Sequence, residues 1–275
     1  MLTEVSLSLA LATAMAGALA GALGGLLGLG GGVFLVPVLV QGLGVPMPQA
    51  VAVSLTTVIA TSNAISGSAE ARTAINLRLG FLLELITAAG GLLGSLVAAS
   101  VTERSLMITF SVVMASMSVL TFLRRDFRNV LPESADPGGW GGRFFDEPTG
   151  QVVTYRVRRM PLALITSFLA GILSTLLGLG GGVVKVPILN GWCGVPMRVA
   201  SATSAFMIGV TATSGALVYL GRGLLLPALA AAAVLGVRLG SSVALRSGQQ
   251  HPRRLKVLLS IVLLIVSVLM LRRLP

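Results

Sequence analysis

Gly28, Gly30, Gly31 and Gly32 stand inside one apolar stretch of the chain, and Gly178, Gly180, Gly181 and Gly182 stand inside another. Each run leads into a Val-Pro pair, Val36-Pro37 or Val186-Pro187. Glycine admits positive φ and lets another backbone or a ligand come close. Where a helix starts behind such a run, several amides lack a carbonyl partner and the dipole is positive, so an anion can be held there. The runs are not nucleotide loops. No Gly-Lys-Ser/Thr follows them, and no acidic residue follows at the distance a dinucleotide fold needs. The competing reading is close helix packing in lipid.

Three charged residues lie within apolar segments. Lys185, one of only two lysines, comes three residues after the second run, where the first copy has Leu35. A charge at membrane depth costs at least about 2.5–3.5 kcal/mol and usually marks a pathway or a pair. Lys185 is therefore expected to add positive charge to an anion pocket; the alternative is snorkelling to an interface. Glu84 and Arg238 are expected either to pair across the molecule or, for Glu84, to relay a proton. Two hydroxyl-rich stretches follow, one with Ser54, Thr57 and Thr61, the other with Ser204 and Thr211. Their helical spacing could line one face with groups that replace water around an anion, or that bond neighbouring helices.

The candidate binding residues are thus Gly30, Gly31, Gly32, Gly180, Gly181, Gly182, Lys185, Ser54, Thr57, Ser204 and Thr211. Glu84 and Arg238 are candidates for coupling or ion pairing. Catalysis has no visible basis. Cys193 and His251 are single, so neither a disulfide nor a metal cluster can be drawn, and no Ser/His/Asp set or carboxylate pair is evident. No cofactor is expected.

These residues need a membrane to position them. Apolar residues make up 55% of the chain and charged residues 11%, with a mean hydropathy of +0.94. Soluble domains carry about 25% charge. The net charge of +11 comes from residues between apolar segments, and aromatics are only 5%, so nucleic acid is not the partner. The bilayer is. No basic region precedes the first apolar stretch, which carries Glu4 ahead of it, so that stretch reads as a retained helix.

The chain also repeats itself. Residues 26–50 match 176–200 without a gap at 16 of 25 positions. The pairings Leu93-Gly94-Ser95 with Leu239-Gly240-Ser241, and Leu123-Arg124-Arg125 with Leu271-Arg272-Arg273, extend the duplication along each half. Apolar segments fall at roughly 5–41, 49–68, 79–101, 105–123, 160–190, 199–220, 224–245 and 255–271. The expectation is an all-α integral membrane protein of about eight segments, with a first repeat over 1–125, a polar Arg/Gly/Pro-rich linker over 126–158 and a second repeat over 159–275. Segment 1 would reach about 55 Å as one helix, so segments 1 and 5 are expected to break at their glycines into a span and a re-entrant half-helix. Eight plain crossings would leave the basic 246–256 loop opposite the linker. An odd number per half would invert the repeats and bring that loop to the linker's side, which the positive-inside rule makes cytoplasmic. Inverted repeats are the expectation.

At Gly28-Leu29-Gly30-Gly31-Gly32-Val33-Phe34-Leu35-Val36-Pro37 and Gly178-Leu179-Gly180-Gly181-Gly182-Val183-Val184-Lys185-Val186-Pro187 the chain resembles the TauE/SafE family of sulfite exporters. The resemblance implies a multi-pass permease of the cytoplasmic membrane, moving sulfur-containing anions such as sulfite or organosulfonates. The reading is a secondary transporter working by alternating access, with protons as a candidate coupling ion. An anion channel on the same repeats, or a membrane scaffold without transport, are the alternatives.

Overall fold

The computed structural model describes residues 7–27, 31–67, 69–98, 100–123, 130–132, 135–146, 150–246 and 252–272. Its first half holds α1 (Leu7–Leu27), α2 (Gly32–Pro37), α3 (Met47–Ser66), the short α4 (Ala69–Ala74), α5 (Leu77–Val97) and α6 (Glu103–Leu123). Its second half holds α7 (Met160–Leu177), α8 (Gly182–Gly191), α9 (Met197–Gly221), α10 (Pro227–Arg246) and α11 (Pro252–Arg272). Five of these helices are long and apolar enough to cross a membrane: α1, α5, α6, α7 and α9. The surface is correspondingly apolar. Leu7, Leu11, Met15 and Leu19 form an exposed stripe along α1, as do Leu235, Leu239 and Val243 along α10, while Ser54, Thr57, Thr87, Thr175 and Thr211 are buried.

The second long apolar segment breaks at its glycines; in the first, α1 ends at Leu27 and α2 begins at Gly32, with residues 28–30 outside the described residues. Segment 1 becomes α1 and α2, and segment 5 becomes α7 and α8. The two copies then diverge. After Pro37 the chain widens into a π-helical turn over Val38–Gly42, whereas α8 stays α-helical past Pro187 to Gly191. Proline removes one backbone bond in both.

Equivalent helices pack on each other in opposite directions. Along the α3–α9 seam Leu55 lies at Gly215, and Ser62 at Ala205 and Gly209. Along α6–α11 Ser118 meets Ser260, and Ser111 meets Ser267. The other two seams join unlike helices and are parallel. Gly17 and Gly21 of α1 lie on Ala233 and Val237 of α10; Gly90 and Gly94 of α5 lie on Phe168 and Ile172 of α7. A Cβ at any of these glycines would run into a carbonyl oxygen of the facing helix. In lipid, where apolar surface gives no drive to associate, this close approach of small residues holds helices together.

The linker departs from the all-α expectation. It folds a small antiparallel sheet of β1 (Val130–Leu131), β2 (Gly142–Asp146) and β3 (Gln151–Tyr155), in the order β1-β3-β2. Alternation in Phe144-Phe145 and Val152-Val153 lets one face pack while the other stays open: Phe144 is buried and its neighbour Phe145 is exposed. Asn76, the N-cap of α5, ties the sheet down. Its Oδ1 accepts from the Leu79 amide, and its Nδ2 donates to Trp140 O (2.9 Å) and Tyr155 Oη (2.8 Å). Arg198 of α9 reaches Asp146 at 3.5 Å.

Candidate functional site

The second glycine run bends the chain. Gly178, Gly180 and Gly181 have φ of 71°, 72° and 71°, a left-handed backbone that side chains other than glycine resist. Gly182 then opens α8. The first helical amides to find a carbonyl are those of Val184 and Lys185, both on Gly181 O, so those of Gly182 and Val183 are left over. In the first copy Gly31 has the ordinary right-handed φ of −71°, and Gly30 lies outside the described residues.

The two breaks meet. Gly32, at the start of α2, lies directly against Gly178 O, and Ser54 Oγ donates to that same carbonyl at 2.7 Å. Gly31 packs on Ala20 of α1, as Gly181 packs on Ala170 of α7. Gly180 fits between Val58 of α3 and Ile208 of α9. The run is thus clamped by both halves.

Lys185 lies one turn into α8 and is 2% exposed. Its Nζ stands 3.5 Å from Glu84 Oε2 on α5, with the Glu84 residue 5% exposed. At that distance the contact is an ion pair rather than a good hydrogen bond. Neither Lys185 Nζ nor Glu84 Oε2 has a hydrogen-bond partner. The other carboxylate oxygen is served: Thr211 Oγ1 of α9 donates to Glu84 Oε1 at 2.7 Å. A fully buried ammonium with three donors and only a long ion pair is left under-satisfied, and burying a charge is costly unless it is paired and hydrogen-bonded.

The remaining predicted residues divide. Ser204, two turns before Thr211 on the same face, has a buried Oγ with no hydrogen-bond partner. Thr57 donates its hydroxyl to Ser54 O of its own helix, and Thr61 to Thr57 O. Arg238 does not join Glu84. It is exposed on α10, whose main neighbours are α1 and α3, and the ion-pair partner of Glu84 is Lys185.

Two hydroxyls escaped the sequence reading. Ser174 Oγ, packed beside Gly181, is buried without a hydrogen-bond partner. Thr175 Oγ1 donates to Gly91 O at 2.7 Å and fastens α7 to α5. Neither has a hydroxyl counterpart in the first copy, where Gly24 and Gly25 stand, so the repeat gave no signal for them. The arrangement gathers groups of the kind that an anion needs. A buried ammonium, free amides of a half-helix and spare hydroxyls on α7 and α9 supply positive potential and donors, with one carboxylate balancing the lysine. On the linker side a cleft of about 220 Å³ opens between the sheet and α5, with Arg78 and Arg143 among its lining residues.

The Sulfite exporter TauE/SafE family model matches residues 13–270. A curated relative, "Probable membrane transporter protein YunE" of Bacillus subtilis (strain 168), is 26% identical over 251 residues, covering 87% of this chain and 89% of its own length. "Sulfite exporter TauE/SafE family protein 6" of Arabidopsis thaliana is 41% identical over 56 residues, covering 20% of this chain and 13% of its own. No solved structure matches. The chain belongs to the sulfite exporter TauE/SafE family of membrane transporters and is a multi-pass cell-membrane protein.

Proposed function

We propose that this family member is a secondary transporter of small sulfur-containing oxyanions, sulfite or an organosulfonate, and that Lys185 and the opening amides of α8 hold the anion. The observation that carries the reading is the Lys185 ammonium, 2% exposed beside the glycine break, with no hydrogen-bond partner. Gly180, Gly181 and Gly182 shape the break, while Ser204 and Ser174 offer unused hydroxyls. Gly31, Gly32 and Ser54 hold the first copy's break against the second, and Thr211 orients Glu84.

The helix directions support inverted repeats. With α3 antiparallel to α9 and α6 antiparallel to α11, each half crosses an odd number of times, counting its half-helix. α10 then ends, and α11 begins, on the side of the 126–158 linker. Among the described residues, Arg72, Arg78, Arg143, Arg156, Arg158, Arg159 and Arg198 share that side, against Arg104 and Arg222 on the other. The positive-inside rule makes the linker side cytoplasmic. Rocking one half against the other around the clamped glycine run would expose the site to each side in turn. Outward movement of one net negative charge down an inside-negative potential is favourable by about 2.3 kcal/mol per 100 mV.

The test is sulfite flux in proteoliposomes with thiosulfate, taurine and sulfate as competitors. The expected result is saturable flux with counterflow, which a channel would not give, and loss of anion affinity in Lys185→Leu. Unchanged affinity in folded Lys185→Leu would remove the lysine from the site.

A further inference from the structure

We propose that Lys185 has two alternative partners, the Glu84 carboxylate and the transported anion, and that Glu84 takes up one proton each time the anion displaces it. The proposal rests on the transport reading above. Its ground is the way the two buried side chains leave valences open toward each other. Glu84 Oε1 is held by Thr211 at 2.7 Å, but Oε2 accepts no hydrogen bond and has only the Lys185 ion pair at 3.5 Å. Lys185 Nζ keeps three N–H donors and uses none of them in a hydrogen bond. Its side chain is 1% exposed and that of Glu84 7%.

Among the described residues, no other ionisable group pairs with Glu84 or Lys185. α7 and α3, neighbours of the site, carry no ionisable side chain along their lengths. α9 carries Arg198 near its start, pairing with Asp146, and Tyr219 near its end, donating to Thr175 O; Arg222, just past that end, donates to Ser95 O. On α5 itself the other ionisable residue is Arg78, exposed in its first turn.

An anion seated at the Gly182 and Val183 amides lies one turn from Lys185 and competes with Oε2 for the ammonium. If it wins, Glu84 is left as a buried carboxylate with one hydroxyl donor, the state that buried charges avoid by neutralising. The exchange balances without covalent change. Lys185 keeps its three protons, the anion oxygen replaces Oε2, and Oε2 receives one proton from the compartment that admitted the anion. Thr211 stays on Oε1. On release, the anion leaves, Oε2 returns its proton to the second compartment, and the ion pair forms again. A monovalent anion therefore crosses with no net charge, and a dianion with one negative charge.

The experiment measures anion uptake and intravesicular pH together in proteoliposomes clamped with potassium and valinomycin. Sulfite, thiosulfate and methanesulfonate are supplied in turn, the last two because their own protonation lies far from the working pH. Wild-type protein should move one proton per anion with any probe it transports. Glu84→Gln, which is neutral like the protonated acid, should bring the proton-to-anion ratio from one to zero and lower the half-saturating anion concentration. Wild-type anion flux with no accompanying proton would overturn the exchange while leaving transport intact. So would a ratio of one in Glu84→Gln. Absence of flux for all three anions overturns the transport reading itself. The wild-type ratio decides the matter even where the variant does not fold.

Discussion

Replacing Lys185 by leucine writes the first copy's residue, Leu35, into the second copy, and it should be far from silent. Leu35 sits in a fully buried apolar position; Lys185 sits against Glu84. Removing the ammonium leaves a carboxylate that is 5% exposed with Thr211 as its one hydrogen-bond donor. Breaking a buried pair from one side typically costs about 3–5 kcal/mol, whereas replacing both partners by apolar groups is neutral or stabilising by about 1–4 kcal/mol. Lys185→Leu and Glu84→Leu should therefore each destabilise by about 3–5 kcal/mol, and the double variant should recover most or all of that loss. Reversible denaturation in detergent micelles reads all four corners of the cycle. A double variant that falls at the sum of the singles, within about 0.5 kcal/mol, would mean independent sites. That outcome would refute the ion pair as the organising contact of the site.

Gly181→Ala should cost about 1–2 kcal/mol in the same denaturation assay from its left-handed φ of 71° alone, and more than Gly31→Ala, whose φ of −71° suits alanine. Gly94→Val and Gly240→Val push a side chain into a facing carbonyl and should each lower stability by at least the ~1–3 kcal/mol of overpacking, seen as a lower midpoint in thermal unfolding. Asn76→Ala removes the α5 N-cap, worth about 0.5–2 kcal/mol, and frees Trp140 and Tyr155; hydrogen exchange of β3 amides should rise while those of α10 stay unchanged. In a Cys193→Ser background, cysteine at Arg143 should react with an impermeant thiol reagent only after cells are opened, and cysteine at Arg104 in intact cells.

The break in the second half was legible because the glycine run and the proline act locally on the backbone. A helix cannot pass Gly178, Gly180 and Gly181 with positive φ, so α7 had to end there. The embedded charges were legible as exceptions to an apolar context, but their partners were not. Glu84 and Lys185 are 101 residues apart on helices of different halves, and hydropathy carries no record of which side of a helix faces inward. Arg238 shows the gap: it lies in an apolar segment like Lys185, yet on the exposed face of α10. The hydroxyls divided for a related reason. Spacing puts Thr57 and Thr211 alike on helix faces, but a threonine can bond its own preceding turn, as Thr57 does, and only packing decides. The linker sheet was missed because its strands are only 2 or 5 residues long in a Gly/Pro-rich stretch.

The Lys185–Glu84 pair also breaks the symmetry of the molecule. Leu35 answers Lys185 in the first copy, Thr61 answers Thr211 but bonds its own helix, and α10, the counterpart of α5, has no acidic residue. In a transporter of two matched inverted halves, swapping the halves' conformations turns the inward-facing state into the outward-facing one, so identical halves would give the two states equal energy. Here one half carries charge where the other carries leucine. On the alternating-access reading proposed above, this charge makes the two end states unequal in energy, and the empty carrier would prefer to face one side. That preference belongs to the chain itself, before any anion or membrane voltage acts on it.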